Sequence, residues 1–520
     1  MEKPGKKLNK FLKNLPYYFP AIVFFISLSF NLLYFDWQNA PVLFPDSGGY
    51  IQFADRISQW QKPDIFGRTP TYPLYLLLLF ENLKLATIGQ IVIGTFSSVL
   101  LYLIGLQLLK RPWPVFFAVI VVSADYAIAR FNSFILTENL SIFLLLLSLC
   151  LHILVLTGNA AKKIFIAAIV ADILLIFVRP NLMFLPIIFF LFTFCYFIIF
   201  EKKDAYLKKI RTFVFFGIIL NITLISGYCY ANYLQSGYFT ISRLTDIAIL
   251  GKILQYDMVR ENTRTETMPD AAKKVIGIQQ ELQKKMEEMK NENESANEPK
   301  LFSINYVPSN SIKNILINGL KFVRWGIIYP STTAISMPLH KYLNEDQYKS
   351  NPYDIYNSLS RQSKNYLDEM KTANAYFLKN NYGEFFLKTM RNTPKVMMIY
   401  GSDSSLLEKY NNNKLLSFAI KTGFFLFEII TIISPLAILI SIFYFLWFVF
   451  KKNKEKIAIL GTILLAILYV VFNISALGYG DYSRLRMPVI PLIELLVFLP
   501  LLILTEKIFR FLFSRPNMTE

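Results

Sequence analysis

Long apolar runs separated by short charged turns dominate the chain. A bilayer core of about 30 Å takes roughly 20 apolar residues as helix. Runs of that kind fall near residues 17–35, 86–108, 114–129, 137–157, 164–179, 181–200, 212–231, 424–450, 457–474 and 489–509, with those at 114–129 and 164–179 short. One stretch, 232–414, is polar enough to stand in water. Within it, Asp270 to Lys300 reads as a charge-laced solvated helix. Ile312 to Tyr329 and Ala373 to Tyr400 mix aromatic and basic residues at helical spacing, as helices lying on a membrane surface do. The pattern predicts an all-α polytopic membrane protein of about ten transmembrane helices, with outer juxtamembrane helices and a largely helical extracytoplasmic domain. The expected division is an N-terminal membrane module at 1–231, an extracytoplasmic segment at 232–414 and a C-terminal membrane module at 415–520.

Charge orients these runs. The N-terminal lysines, Lys110–Arg111, Lys162–Lys163, the stretch Lys202 to Arg211, Lys451 to Lys456 and Lys507 to Arg515 all fall on one side. By the positive-inside rule that side is cytoplasmic and both termini lie within. The opposite side receives the loop 36–85, the links near Asn132 and Pro180, the stretch 232–414 and Gly478 to Arg486. Composition agrees with the membrane assignment: 54% of residues are hydrophobic and 16% aromatic, more apolar surface than a soluble domain hides. The net charge of +18 is dispersed in loops between apolar runs, which argues for anionic headgroups as partners and against nucleic acid. Three cysteines inside or at the ends of apolar runs make no disulfide framework, and two distant histidines make a histidine-built metal site unexpected. The run 17–35 has a basic start but no small-x-small cleavage site, and reads as an uncleaved first span.

Ionisable residues gather at the outer ends of the spans, where their positions carry information because a charge is costly within an inserted helix. In the first outer loop, "FPDSGGYIQFAD", Asp46 follows Pro45 and precedes a stretch in which Tyr50, Phe53, Ile57 and Trp60 recur at helical steps, the face of an interfacial helix. Asp46 is either the cap of that helix or a functional carboxylate; Asp55 lies within the amphipathic run. Arg68 follows Asp64, and the apolar run 71–83 is too short to span. Glu138 opens the fourth span, where the helix dipole favours it. Arg179, Arg484 and Arg486 sit at the same outer level, against the cytoplasmic bias, and ask for anionic partners: Asp46, Asp125 or Asp481, or a ligand. Asp172, Glu428 and Glu494 lie deeper, where an interhelical hydrogen bond is the expected role.

The segments "FPDSGGYIQFAD", "GRTPTYPLY" at 67–75, Thr137–Glu138 with "NLSIFLLLLS", "VRPNLMFLP" at 178–186 and "DYSRLRMPVIPLI" at 481–493 occur in this order. Together they resemble the GT-C superfamily of membrane glycosyltransferases, in particular the branch of protein O-mannosyltransferases and lipid A aminoarabinose transferases. The resemblance implies transfer of a sugar from a polyprenyl-phosphate carrier to an acceptor on the outer face, with inversion at the anomeric carbon and Asp46 as catalytic base. The aspartate-x-aspartate pattern of several relatives is absent from the first loop, so no cofactor is required on this reading and a divalent metal is not supported.

The residues suit such chemistry. A lipid-phosphate leaving group departs as an anion and needs positive charge more than a proton. Arginine supplies that charge with a two-pronged fork, which makes Arg68, Arg179, Arg484 and Arg486 the expected carrier-phosphate ligands. The acceptor hydroxyl needs one carboxylate to take its proton, Asp46, with Asp55 or Glu138 as a second carboxylate. The expected partners are a polyprenyl-phosphate sugar, a glycan, lipid or protein acceptor, and membrane lipids. The expected location is a bacterial inner (plasma) membrane with the site on its outer face. A lipid-linked sugar flippase or transporter is the alternative; transporters place ionisable groups near the midplane in paired halves, of which the chain has no trace beyond Asp172.

Overall fold

The computed structural model describes residues 15–44, 46–61, 63, 68–158, 161–200, 204–242, 244–256, 258, 268–273, 275–277, 364–397, 414–478 and 482–513. Almost all of these are helical: α1 Phe19–Tyr34, α2 Ser47–Ser58, α3 Thr71–Leu78, α4 Leu83–Leu109, α5 Pro112–Ser123, α6 Tyr126–Ala129, α7 Glu138–Leu156, α8 Lys162–Ile176, α9 Leu185–Phe200, α10 Asp204–Ser236, α11 Leu244–Gln255, α12 Lys364–Met397, α13 Lys414–Phe450, α14 Lys454–Leu477, α15 Tyr482–Leu485 and α16 Ile490–Phe513. Eight helices are long and apolar enough to cross a membrane, or nine if one bent pair is a single span. The chain is therefore an integral multi-pass membrane protein. The two spans that looked short in the sequence are the ones that fall short of the expected ten. The run 114–129 is bent by 56° between α5 and α6. The cause is Asp125, whose extended backbone (ψ 111°) and carboxylate, accepting from Ala127 N at 2.9 Å, start a new turn in place of the old one. Helix α8 has only 15 residues, about 22 Å of rise.

Polar side chains turn inward and apolar ones outward, as a bilayer solvent demands. Helix α13 exposes Phe443, Tyr444, Trp447 and Phe450, while Ser27, Asn31, Thr95, Ser97, Asn132 and Asn139 are buried in the bundle. Helices α7 and α8 run antiparallel. Arg179 just beyond α8 meets Glu138 at the start of α7, and Asp172 accepts from Ser148 Oγ at 2.5 Å and contacts His152 Nε2 at 3.0 Å further along. The interhelical role expected for Asp172 is thus met. The basic loops meet at one end of the bundle, where Lys110 pairs with Glu455 at 2.7 Å and Lys456 donates to Leu108 O. The acidic and arginine-rich loops meet at the other.

Two loop ties define that second end. The chain after α1 is stapled to the segment before α7: Val42 N donates to Ser133 O at 2.8 Å, Ile135 N to Val42 O at 3.1 Å, and Asp36 N to Ser133 Oγ at 2.9 Å. Ser47, fully buried, completes the tie by donating to Ile135 O at 2.9 Å and accepting from Phe44 N at 2.8 Å. The start of α3 is tied to the end of α8, with Thr71 N donating to Phe177 O at 3.1 Å and Thr71 Oγ1 to Leu174 O at 3.0 Å. Helix α2 does not turn its aromatic face to the membrane as its spacing suggested. Tyr50 and Phe53 are buried, Tyr50 against Tyr72 of α3 with ring centroids 5.1 Å apart, and only Trp60 stands out, 96% exposed. Within 232–414 the described part of Ala373 to Tyr400 is helical, in α12. Ile312 to Tyr329 and residues 278–300 lie outside the described residues.

Candidate active site

Five charged side chains meet in one row at this end of the bundle. Asp46 occupies the N-cap position of α2, yet its carboxylate caps nothing. Its oxygens are taken instead by arginine: Oδ1 accepts from Arg68 Nη2 at 2.8 Å and Oδ2 from Arg484 Nη2 at 2.5 Å. Arg484, on the short α15, turns its Nε to Glu138 Oε1, and Arg179 Nη2 approaches the same oxygen at 3.7 Å. The row therefore runs Arg68, Asp46, Arg484, Glu138, Arg179, carboxylate alternating with guanidinium. Glu138 is fully buried at the N-terminus of α7, where the helix dipole supports its charge, while the Asp46 side chain keeps 25% of its surface open.

Aromatic rings fix the arginines. The Arg68 guanidinium lies 5.0 Å from the Tyr50 ring centroid and that of Arg484 lies 5.1 Å from the Phe44 centroid. Gly49 leaves room for Arg68, since a Cβ there would stand 2.7 Å from Arg68 Nε. Burial by itself pushes the Asp46 carboxyl up, but the charges and hydrogen bonds of Arg68 and Arg484 outweigh it and hold the group well below its ordinary value of 3.8. Burial likewise opposes the Arg484 charge, and Glu138 and Asp46 more than restore it. Three guanidiniums against two carboxylates leave a surplus positive charge. Arg179 Nη1 and Glu138 Oε2 are buried without a hydrogen-bond partner among the described residues. Guanidinium forks in this number and spacing can hydrogen-bond several oxygens of one anion. Among the described residues no three His, Cys, Asp or Glu side chains group as metal ligands; Arg484 stands between Asp46 and Glu138.

Of the residues the sequence singled out, Asp46, Glu138, Arg68, Arg179 and Arg484 come together, and two do not. Asp55 lies nine residues along α2, roughly 13 Å of rise away, and accepts from Gln59 Nε2 at 2.7 Å. Arg486 turns away from the row to the end of α12, donating to the carbonyl oxygens of Met397 and Val396. Asp64 and Asp481 lie outside the described residues. Tyr50, Phe44, Ser47 and Gly49 were not recognised as part of the site. A signal existed for Tyr50, which follows Asp46 by four residues and so shares its side of the helix. Comparisons with protein families, with characterised proteins and with solved structures found no match for this chain.

Proposed function

We propose that the chain is a glycosyltransferase that moves a sugar from a polyprenyl-phosphate carrier to an acceptor at the outer face of a plasma membrane, with inversion. The observation that carries this reading is the closed row of two carboxylates and three arginines at the end of the bundle opposite the basic loops. With the basic loops cytoplasmic, both termini are inside and the row is at the outer headgroup level, within reach of a lipid phosphate. The 15-residue α8 and the bent α5–α6 pair then complete the ten crossings.

In the displacement, the acceptor oxygen bonds to the anomeric carbon as the bond from that carbon to the phosphate oxygen breaks. The electron pair leaves on the phosphate, stabilised by Arg68, Arg179 and Arg484. The acceptor proton passes to Asp46. A carboxylate clamped by two arginines is a feeble base, so the phosphate has a second task. Its oxygens compete for Arg68 and Arg484, free an oxygen of Asp46 and restore its basicity.

The test is transfer from a radiolabelled polyprenyl-phosphate sugar by the purified chain. Asp46→Asn should lower turnover by about 10²–10⁴-fold, the range of a lost general base, with the protein made at normal levels. Near wild-type transfer by that variant would remove Asp46 from the chemistry. Carrier translocation without covalent transfer would replace the enzyme with a lipid-sugar transporter.

A further inference from the structure

The bond that holds the Arg68 peptide comes from a helix that contributes no charge to the row. Tyr228 of α10 donates from its hydroxyl to Arg68 O at 2.8 Å. Seven residues on, so on the same face and about 10 Å further along the axis, Gln235 donates from Nε2 to Pro63 O at 2.9 Å. One face of α10 thus grips the chain at Pro63 and again at Arg68. That end of α10 is fixed in its turn, with Asn232 Nδ2 donating to Thr240 O at 2.6 Å. The same tyrosine reaches the other end of the row. Its ring lies 5.2 Å from that of Phe177, centroid to centroid, and Phe177 stands two residues before Arg179. Phe177 O accepts from the backbone N of Thr71, three residues after Arg68, at 3.1 Å. The two outermost arginines of the row, Arg68 and Arg179, therefore spring from one node of Tyr228, Phe177 and Thr71.

We propose that Tyr228 is a positioning residue for the arginine row: its hydroxyl fixes the Arg68 peptide and its ring the turn before Arg179, so that both guanidiniums can bond oxygens of one phosphate. The inference rests on the reading of the row as a carrier-phosphate site. A tyrosine in a spanning helix needs a partner for its O–H, and here that partner is the carbonyl of a residue in the row. The Arg68 side chain is aligned by the Tyr50 ring and by Asp46, and its backbone by Tyr228. A guanidinium gains its advantage on phosphate from the direction of its fork. An Arg68 peptide released from Tyr228 aims that fork less well, which weakens the grip on the anion while the bundle stays folded.

The experiment uses the full chain in lipid nanodiscs and the variant Tyr228→Phe, which removes the hydroxyl and keeps the ring on Phe177. Binding of a sugar-free polyprenyl monophosphate should weaken about two- to tenfold, the worth of one hydrogen bond. The donor KM should rise by the same factor, with the acceptor KM unchanged. Tyr230→Phe, at an exposed position of the same helix, should change none of these. In an Arg68→Gln background the weakening should vanish, since the hydroxyl acts through Arg68 alone. Unchanged binding in Tyr228→Phe overturns the proposal. So does a fall in kcat with KM and binding intact, the mark of fewer folded molecules, and so does a full loss that persists in Arg68→Gln. Monophosphate binding that depends on Tyr228, in a protein that transfers no sugar, would sink the transferase reading and leave Tyr228 its role. Binding of the monophosphate no tighter than that of the phosphate-free polyprenol would sink both.

Discussion

Asp46 gives both oxygens to arginine, and those contacts make its proton affinity depend on what else the arginines hold. In the resting pocket its carboxyl is held well below 3.8, so the stability it contributes is whole above about pH 4 and is lost as pH falls beneath that. On the proposed reading, a phosphate that draws off Arg68 and Arg484 would let the same carboxyl return toward or above its ordinary value. The two kinetic parameters report different states, kcat/KM the free enzyme and kcat the bound complex. The acid limb of kcat should therefore lie at higher pH than that of kcat/KM, and coincident limbs across pH 4–7 would count against release of Asp46 by the donor. The two neighbouring glycines separate space from helix propensity. Gly49→Ala puts a methyl against Arg68 Nε, whereas a Cβ at Gly48 meets nothing within 4 Å. Gly49→Ala should lower kcat/KM roughly tenfold or more through a displaced guanidinium. Gly48→Ala should leave activity unchanged and add up to about 1 kcal/mol of stability. At this scale the sequence identified types better than directions. Arg484 and Arg486 are two residues apart and face different sides of the chain, so nothing in "SRLR" says which one enters the pocket; that is decided by where α15 ends and by the carbonyls of Val396 and Met397.

Among the elements, long helices were legible because one solvent, the bilayer core, imposes one length and one polarity on all of them. The breaks were not. Asp125 ends a span because its side chain accepts a local amide, which hydropathy averages away, and α8 is held to 15 residues by the turn at Phe177 and the extended backbone of Arg179. The ties that assemble the site were invisible for a different reason. They are backbone contacts such as Val42 to Ser133, and a backbone amide looks alike under every residue. Ser47 is the exception, a side chain whose hydroxyl makes two such contacts while fully buried. Ser47→Ala leaves Ile135 O and Phe44 N without that partner, which costs about 1–3 kcal/mol where water cannot replace it. The expected result is a lower thermal midpoint together with weakened donor binding, since Asp46 is the next residue. Ser58→Ala, at the far end of α2 with one exposed bond to Asp55 O, should change neither.

For the molecule as a whole, the site is a property of closure: residues 46, 68, 138, 179 and 484 meet only when the N-terminal and C-terminal membrane modules pack together, as they do where Lys110 meets Glu455 at the opposite end. That opposition of ends gives the topology a direct test. Gln61, exposed beyond α2, belongs to the arginine-rich end, and Lys452, exposed between α13 and α14, belongs to the basic end. The three native cysteines lie within the apolar helices α7, α9 and α10, outside the reach of a charged, membrane-impermeant thiol reagent. Intact cells carrying Gln61→Cys should take up the reagent from outside, and cells carrying Lys452→Cys only after permeabilisation. The reverse pattern would put the arginine row on the cytoplasmic side, where the basic loops' attraction to anionic lipid could no longer explain the orientation. It would also remove the outer-leaflet carrier phosphate as the anion the row receives. Labelling of both positions from outside would mean that the number of crossings between residues 61 and 452 is even and not the odd number expected, and α8 and the bent α5–α6 pair are the elements on which that parity turns.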